Sequence, residues 1–267
     1  MDLKRLYIVT GKGGVGKTMT AMSLTRALQN HTDKKVLYNC FDEHSNQELC
    51  QELGIKALDL PVEISSTEYI GRKLGSKTLA KWVMKAPFFK ALFNIVPSLS
   101  YMITLGHLLD KLEHDPNLIL VIDAPSSGHI LTVLDSPKNF DKIFKTGALV
   151  RDIKKMLDFL TDANNVESWV LSIPTELAVQ EGEELSNNLS SSGIKNIKKI
   201  LNNALSKASD LDREDLPEFI KQKIENEKDV LKIYDNIFSF IIPMFIDKSP
   251  TKLVKRIEEK LVAELNL

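Results

Sequence analysis

Four glycines, two lysines and a threonine lie in one stretch near the amino terminus, from Gly11 to Thr18, with the sequence G-K-G-G-V-G-K-T. A glycine-rich loop of this spacing can curl until several backbone N–H groups point inward, where they cradle phosphate oxygens. The residues before Gly11 are apolar and typical of a strand, and those after Thr18 recur at helical spacing. This order of strand, loop and helix is the context in which the pattern G-x-x-x-x-G-K-T binds a nucleoside triphosphate.

Each polar group of this loop has an expected task. Lys17 would reach the β- and γ-phosphates, and the Thr18 hydroxyl would ligate Mg²⁺. The helix that begins near Lys17 adds its positive N-terminal end. We therefore expect ATP and Mg²⁺ as cofactors, and the alternative, an ordinary glycine turn with a helix cap, does not explain the flanks. The expected nucleotide-binding residues of this stretch are Gly11, Lys12, Gly13, Gly14, Val15, Gly16, Lys17, Thr18 and Met19.

Two aspartates follow predicted strands and complete the expected chemistry. Asp42 comes after the second strand, where a carboxylate can hold and polarise the attacking water. Asp123 ends the apolar run N-L-I-L-V-I-D and is expected to hold Mg²⁺ directly or through water. Asp42 has an alternative role as the N-cap of a helix that starts near Ser45, and the two roles are compatible.

Two motifs resemble those of a known ATPase group. The run K-G-G-V-G-K-T from Lys12 is similar to the deviant Walker A motif of arsenite-pump ATPases, tail-anchored-protein targeting ATPases, septum-site and partition ATPases and nitrogenase iron protein. The run D-A-P-S-S-G-H, from Asp123 to His129, resembles switch II of the first two families. The resemblance implies that Lys12 crosses a dimer interface to the partner's nucleotide, and a solvated lysine near an anionic ligand is the alternative.

The resemblance also assigns roles elsewhere in the chain. Asp42 matches the switch I aspartate, although Glu43 stands where the family has proline. The expected catalytic residues are therefore Asp42, Lys12 and Lys17. Gly128 would let the backbone pivot, and His129 would be a structural switch residue rather than a general base.

Weaker matches extend toward the carboxyl terminus. The run I-P-T-E-L from Ile173, followed by Gln180-Glu181, looks like a strand-to-helix segment of the family. Asn202 matches an asparagine that reads adenine through its amide, with the adjacent Asn203 as the alternative. Pro243 matches the late strand whose following loop covers the base.

The alternation of apolar runs with helical patterns predicts the α/β class: a doubly wound, mostly parallel sheet of the P-loop type with a helical insertion subdomain. We expect one ATPase domain over residues 1–267, with the insertion at about 47–115. The predicted strands are Leu3–Thr10, Lys35–Cys40, Asn117–Asp123, Ser168–Ile173, Ile197–Asn202 and Ile237–Ile242. The predicted helices of the insertion are Glu68–Leu74, Thr78–Met84, Phe88–Ile95 and Ser100–Leu112.

The insertion is rich in apolar and aromatic side chains, which either bind a protein cargo or form a core between helices. They are Trp82, Val83, Met84, Phe88, Phe89, Leu92, Phe93, Ile95 and Val96. The sequence leaves both interpretations open.

Composition narrows the function classes. The 267 residues carry a formal net charge of −1, so no overall field attracts nucleic acid or anionic lipid. No apolar run is long enough for a transmembrane helix, and the amino terminus leads directly into the first strand, so we expect a cytoplasmic protein. Cys40 and Cys50 form no C-x-x-C pair, and no zinc or metalloid site is expected.

These observations favour a nucleotide-switched homodimeric ATPase that couples ATP binding and hydrolysis to a protein cargo or a membrane partner. The alternative is a partition or positioning ATPase acting on DNA or a membrane surface. Lys195, Lys198 and Lys199 could contact phosphate, and the last helix, Thr251–Leu265, is amphipathic, although its mixed charges favour docking on the sheet. A metabolic ligase with the same loop is a third possibility.

Overall fold

The computed structural model describes residues 3–41, 46–60, 67–72, 75–76, 78, 81–82, 85–87, 97–143, 148–209, 216–234 and 236–267. Six strands form one sheet, and every neighbouring pair is parallel. The strands are β1 (Leu6–Gly11), β2 (Lys35–Cys40), β3 (Leu118–Asp123), β4 (Val166–Ser172), β5 (Ile197–Ala204) and β6 (Phe240–Pro243). All six lie where the apolar runs predict them, and the predicted fold class is confirmed.

Helices connect and cover these strands. Apart from the helical residues 67–72, the helices that the structure describes are α1 (Lys17–His31), α2 (Gln47–Leu53), α3 (Pro97–His114), α4 (Ser127–Ile143), α5 (Ala148–Leu160), α6 (Glu176–Ser191), α7 (Glu218–Ile233) and α8 (Pro250–Leu265). A 3₁₀ turn, Leu205–Lys207, follows β5. None of the helices within the described ranges is both long enough and apolar enough to cross a membrane.

The strand order β2-β3-β1-β4-β5-β6 places β1 in the middle of the sheet, between β3 and β4. Val9 near the end of β1 lies beside Asp123 at the end of β3, and Gly11 lies beside Leu171 of β4. The carboxyl ends of all three strands therefore meet at one edge. In open parallel sheets this is the edge where ligands bind.

Alternation along the buried strands divides the core into two layers. Leu6 and Ile8 face one hydrophobic cluster with side chains of α3 to α6, while Tyr7 and Val9 face a second cluster with side chains of α1 and α8. Successive side chains of a strand point to opposite faces, so a strand buried on both sides must be apolar at nearly every position. This requirement explains the continuous apolar runs in the sequence.

The helical region between β2 and β3 is described in part. Residues 67–72 are helical, and α3 contains the predicted helix Ser100–Leu112. Leu105 and Leu108 of α3 are fully buried in the cluster under the sheet, so this helix belongs to the core. The predicted helix Phe88–Ile95 and most of Thr78–Met84 lie outside the described residues. So does the predicted apolar surface, apart from Trp82, whose side chain is 72% exposed.

The last helix docks on the first one. Val254, Ile257 and Leu261 of α8 are buried in the same cluster as α1. Arg26 of α1 donates from Nε to Glu258 of α8 at 2.6 Å, and the Asn30 amide donates to the other Glu258 oxygen at 2.6 Å. The apolar face of α8 therefore lies mainly against the helix α1, rather than directly on the sheet as the sequence predicts.

This ion pair yields a test of the docking. Glu258→Ala leaves the half-buried Arg26 guanidinium without its carboxylate, and we expect it to lower the free energy of unfolding by about 1–3 kcal/mol. Glu259→Ala on the same helix is the control, because Glu259 is exposed and its loss should change stability by less than about 0.5 kcal/mol. Urea denaturation measures both. Equal effects of the two substitutions would show that the Arg26–Glu258 pair contributes nothing to docking.

Candidate nucleotide-binding site

The loop between β1 and α1 needs glycine at several positions for reasons visible in its geometry. Gly11, Gly14 and Gly16 have φ values of 146°, 81° and 89°, in the region that side chains rarely adopt. A Cβ on Gly11 would overlap the Leu171 carbonyl oxygen. The curl of the loop is therefore set by its fit against β4 as well as by its own sequence.

Asn202, near the end of β5, forms a second contact with the loop. Its side chain is 6% exposed, and its amide nitrogen donates to the Val15 carbonyl at 2.8 Å. A Cβ on Gly16 would overlap the same amide nitrogen. A side-chain hydrogen bond to the phosphate loop is thus the contact that Asn202 makes here, and its reading of adenine stays a prediction.

Two other residues of the predicted adenine site, Asn203 and Pro243, lie near Asn202. Asn203 is exposed with a φ of 62°, and it lines a cavity of about 170 Å³ with Ile173, Pro174 and Thr175. Pro243 ends β6 beside Ala204 of β5. Both lie at the same edge of the sheet as the loop.

The two loop lysines are held by different partners. Lys17 donates from Nζ to the Lys12 carbonyl at 3.1 Å. Burial lowers the pKa of Lys17, and the charge of Asp123 offsets this effect only in part. The Lys12 ammonium forms an ion pair with Glu181 of α6. Lys17 is therefore a partly buried cation beside an aspartate at the glycine-rich loop, where an anion would compensate its charge.

Asp123 occupies the position that the sequence predicts, at the end of β3 and 6% exposed. Its Oδ2 accepts a hydrogen bond from the Tyr38 hydroxyl at 3.0 Å. Burial first, and then the Asp123 charge, raise the pKa of Tyr38, so its hydroxyl stays a donor. The sequence analysis missed Tyr38. The signal that could have found it is a hydroxyl on the buried strand β2, next to the strand β3 that ends in Asp123.

Thr18 and Met19, the last two predicted nucleotide-binding residues of this stretch, lie in the first turn of α1. Thr18 is exposed in the first turn of α1, and Met19 beside it is half-buried and packs against the cluster of α1 and α8. A hydroxyl and a carboxylate are the hard oxygen ligands that Mg²⁺ prefers. Thr18 and Asp123 therefore fit the predicted metal ligands by chemistry and by their shared edge.

Of the predicted switch residues, the structure describes Gly128 and His129 but not Asp42. Asp42 lies outside the described residues. The N-cap of α2 is Asn46, whose side chain accepts from the Leu49 N–H at 3.0 Å, so that helix does not use Asp42 as its cap. Gly128 and His129 are exposed in the first turn of α4, and a Cβ on Gly128 would meet nothing within 4 Å.

The lysines that could have formed a phosphate-binding patch on β5 have carboxylate partners in the chain. Lys198 pairs with Glu167 at 3.2 Å, and Lys199 pairs with Glu183 at 2.7 Å. Lys195 is exposed. The charges of two of the three lysines are therefore paired with carboxylates of β4 and α6.

A parallel sheet with this loop after its central strand defines a P-loop ATPase. The chain belongs to the CbiA family, the CobQ/CobB/MinD/ParA nucleotide binding domain, whose model matches residues 6–260. It is 24% identical over 277 residues to putative arsenical pump-driving ATPase 2 of Aquifex aeolicus, which covers 88% of this chain and 89% of that protein. ATPase BagA of Mycobacterium tuberculosis is 25% identical over 207 residues, covering 68% of this chain and 61% of BagA. The resemblance predicted from the motifs is confirmed, and the chain is an ATP-using enzyme of this family.

The lowered pKa of Lys17 predicts that this lysine is needed for ATP binding but does not stabilise the folded protein. Because burial disfavours the charged amine, Lys17→Met should leave the unfolding midpoint unchanged or raised at pH 7. It should also abolish ATP binding in calorimetry, because the cation at the phosphates is lost. Because the folded pKa of Lys17 is lowered, its charge opposes folding at pH 7, and this cost falls only as the pH rises from the folded pKa to the higher unfolded pKa. A clear loss of stability in the nucleotide-free variant would contradict this account.

The Tyr38–Asp123 hydrogen bond predicts a change in catalysis without a change in fold. Tyr38→Phe removes one hydroxyl donor from a buried carboxylate, and we expect a roughly tenfold lower ATPase rate with a higher Mg²⁺ requirement, from the typical net strength of such a bond to a charged group. Magnesium titrations of ATPase activity measure this effect. Tyr234→Phe is the control, because that hydroxyl accepts its hydrogen bond from the exposed Gln180 amide, at 3.3 Å.

Proposed function

We propose that this chain is a nucleotide-switched homodimeric ATPase of the arsenical-pump type, which couples ATP binding and hydrolysis to a protein cargo or a membrane partner. The observation that supports it most directly is Lys12, whose side chain is 53% exposed at the mouth of the phosphate loop. An amine in that place can reach a nucleotide outside its own chain. The similarity to a putative arsenical pump-driving ATPase over 88% of this chain supports the same type.

Within one subunit, the loop binds and orients the triphosphate. Lys17 exchanges the Lys12 carbonyl for the β- and γ-phosphates, where its charge is better compensated. Asp123 and Thr18 hold Mg²⁺, directly or through water, which supplies charge neutralisation at the phosphate oxygens when bound. Asp42 positions the attacking water, since phosphoryl transfer depends on positioning and electrostatic stabilisation more than on covalent chemistry.

The second subunit completes the site. Lys12 of one copy stabilises the charge that develops on the nucleotide of the other copy, as a cation supplied in trans does in other nucleotide hydrolases. A single chain would then turn over slowly, and its activity would rise with protein concentration. Nucleotide-dependent pairing provides the two states that a partner or cargo can distinguish.

Complementation between two inactive variants tests this dimer. Lys12→Met binds ATP but lacks the trans amine, and Lys17→Met keeps Lys12 but cannot bind ATP. Each variant alone should be inactive, and an equal mixture should recover about a quarter of the wild-type rate, because half of the randomly paired dimers are mixed and each has one complete site. Light scattering with a non-hydrolysable ATP analogue should show the dimer directly.

Two results would contradict the proposal. A mixture as inactive as its components would show that Lys12 does not act across subunits. A wild-type chain that stays monomeric at micromolar concentration with the analogue bound would exclude the homodimer itself.

The second candidate is a partition or positioning ATPase, which the MinD/ParA description of the matching family supports. The docked α8 and the paired Lys198 and Lys199 argue against it, because a surface that binds DNA or lipid needs free cations or a free apolar face. Cosedimentation with DNA and with anionic liposomes, in the presence of ATP, separates the two functions. Binding to either would favour the second candidate.

A further inference from the structure

Lys12 has a partner within its own chain. Its ammonium forms an ion pair with Oε1 of Glu181, in the second turn of α6. Both side chains are partly open to solvent, with 53% and 28% of their surfaces exposed. The amine proposed to act on a second copy therefore has a carboxylate partner on its own chain.

Glu181 stands on a rigid support, whereas Lys12 lies on a loop. The first turn of α6 is capped by the Thr175 hydroxyl, and Val179 and Leu185 are buried beneath the helix. Gly182 lies so close to β4 that a Cβ there would overlap the Ser172 hydroxyl. Because α6 is fixed against the sheet, Glu181 sets the position of Lys12 rather than the reverse.

Nucleotide can act on this contact through the backbone of Lys12. The Lys17 amine holds the Lys12 carbonyl, and the arriving phosphates compete for that amine. When Lys17 turns to the phosphates, the Lys12 peptide loses its hydrogen bond, and the loop segment that carries Lys12 is freed. Phosphate binding would therefore affect both the Lys17 amine and the position of the Lys12 side chain.

We propose that Glu181 is a positioning residue that holds Lys12 on its own chain and releases it when nucleotide and a second copy are in place. This inference rests on the proposed homodimer and names a regulation of its site. The pair is suited to the role because an exposed ion pair is weak, so its loss changes an equilibrium by only about two- to fivefold. A stronger contact would hold Lys12 in cis permanently.

Two measurements on the full chain test the proposal. Acetic anhydride labelling, followed by mass spectrometry, reports the reactivity of the Lys12 amine relative to exposed Lys34. Light scattering with a non-hydrolysable ATP analogue reports pairing. Glu181→Gln should label Lys12 and pair about two- to fivefold more readily than the wild type at low salt, and the difference should vanish near 1 M salt, where the Debye length is about 3 Å. Glu184→Gln, an exposed position on the same helix, should match the wild type.

The outcomes separate the inference from the proposed function. Unchanged Lys12 labelling in Glu181→Gln, or weaker pairing, would overturn the role of Glu181. If the wild type and both variants fail to pair with the analogue bound, the proposed homodimer is wrong, and the labelling rates alone then support or overturn the cis contact.

Discussion

A partly buried cation, Lys17, between a loop carbonyl and an aspartate is the interaction on which the site depends. Lys17 is pulled out of water far enough for its pKa to fall, and its amine is left with the Lys12 carbonyl and the charge of Asp123. Such an amine gains more from a polyphosphate than an exposed lysine would, because part of its desolvation has already occurred. The loop, the strand ends and the aspartate are arranged around this one charge.

The rest of the fold keeps the loop in that shape. Leu171 of β4 would clash with a side chain at Gly11, and Asn202 of β5 would clash with a side chain at Gly16. The two residues reach the loop because β4 lies beside β1 and β5 lies beside β4, with their carboxyl ends at the same edge of the sheet. Glycine is required here by close approach of a neighbouring strand as much as by the backbone angles.

Charge pairs outside the loop define what the surface can do. Carboxylates on the chain itself neutralise Lys198 and Lys199, and Glu181 holds Lys12. The apolar face of α8 is buried against α1. These two cations and this apolar face are therefore engaged within the chain, while the Lys12 side chain at the phosphate loop remains 53% exposed.

The sequence by itself determined the elements and the chemistry of the loop. Six apolar runs predicted six strands, because strands buried on both faces must be apolar throughout, and G-K-G-G-V-G-K-T predicted the phosphate loop, because both its dihedrals and its functional groups are local properties. Only the tertiary structure decided the contacts of Asn202 with Val15, Tyr38 with Asp123, and Lys12 with Glu181. Each of these joins residues far apart in the chain, and no local periodicity records which strand lies beside which or which side chains meet at the edge of a sheet.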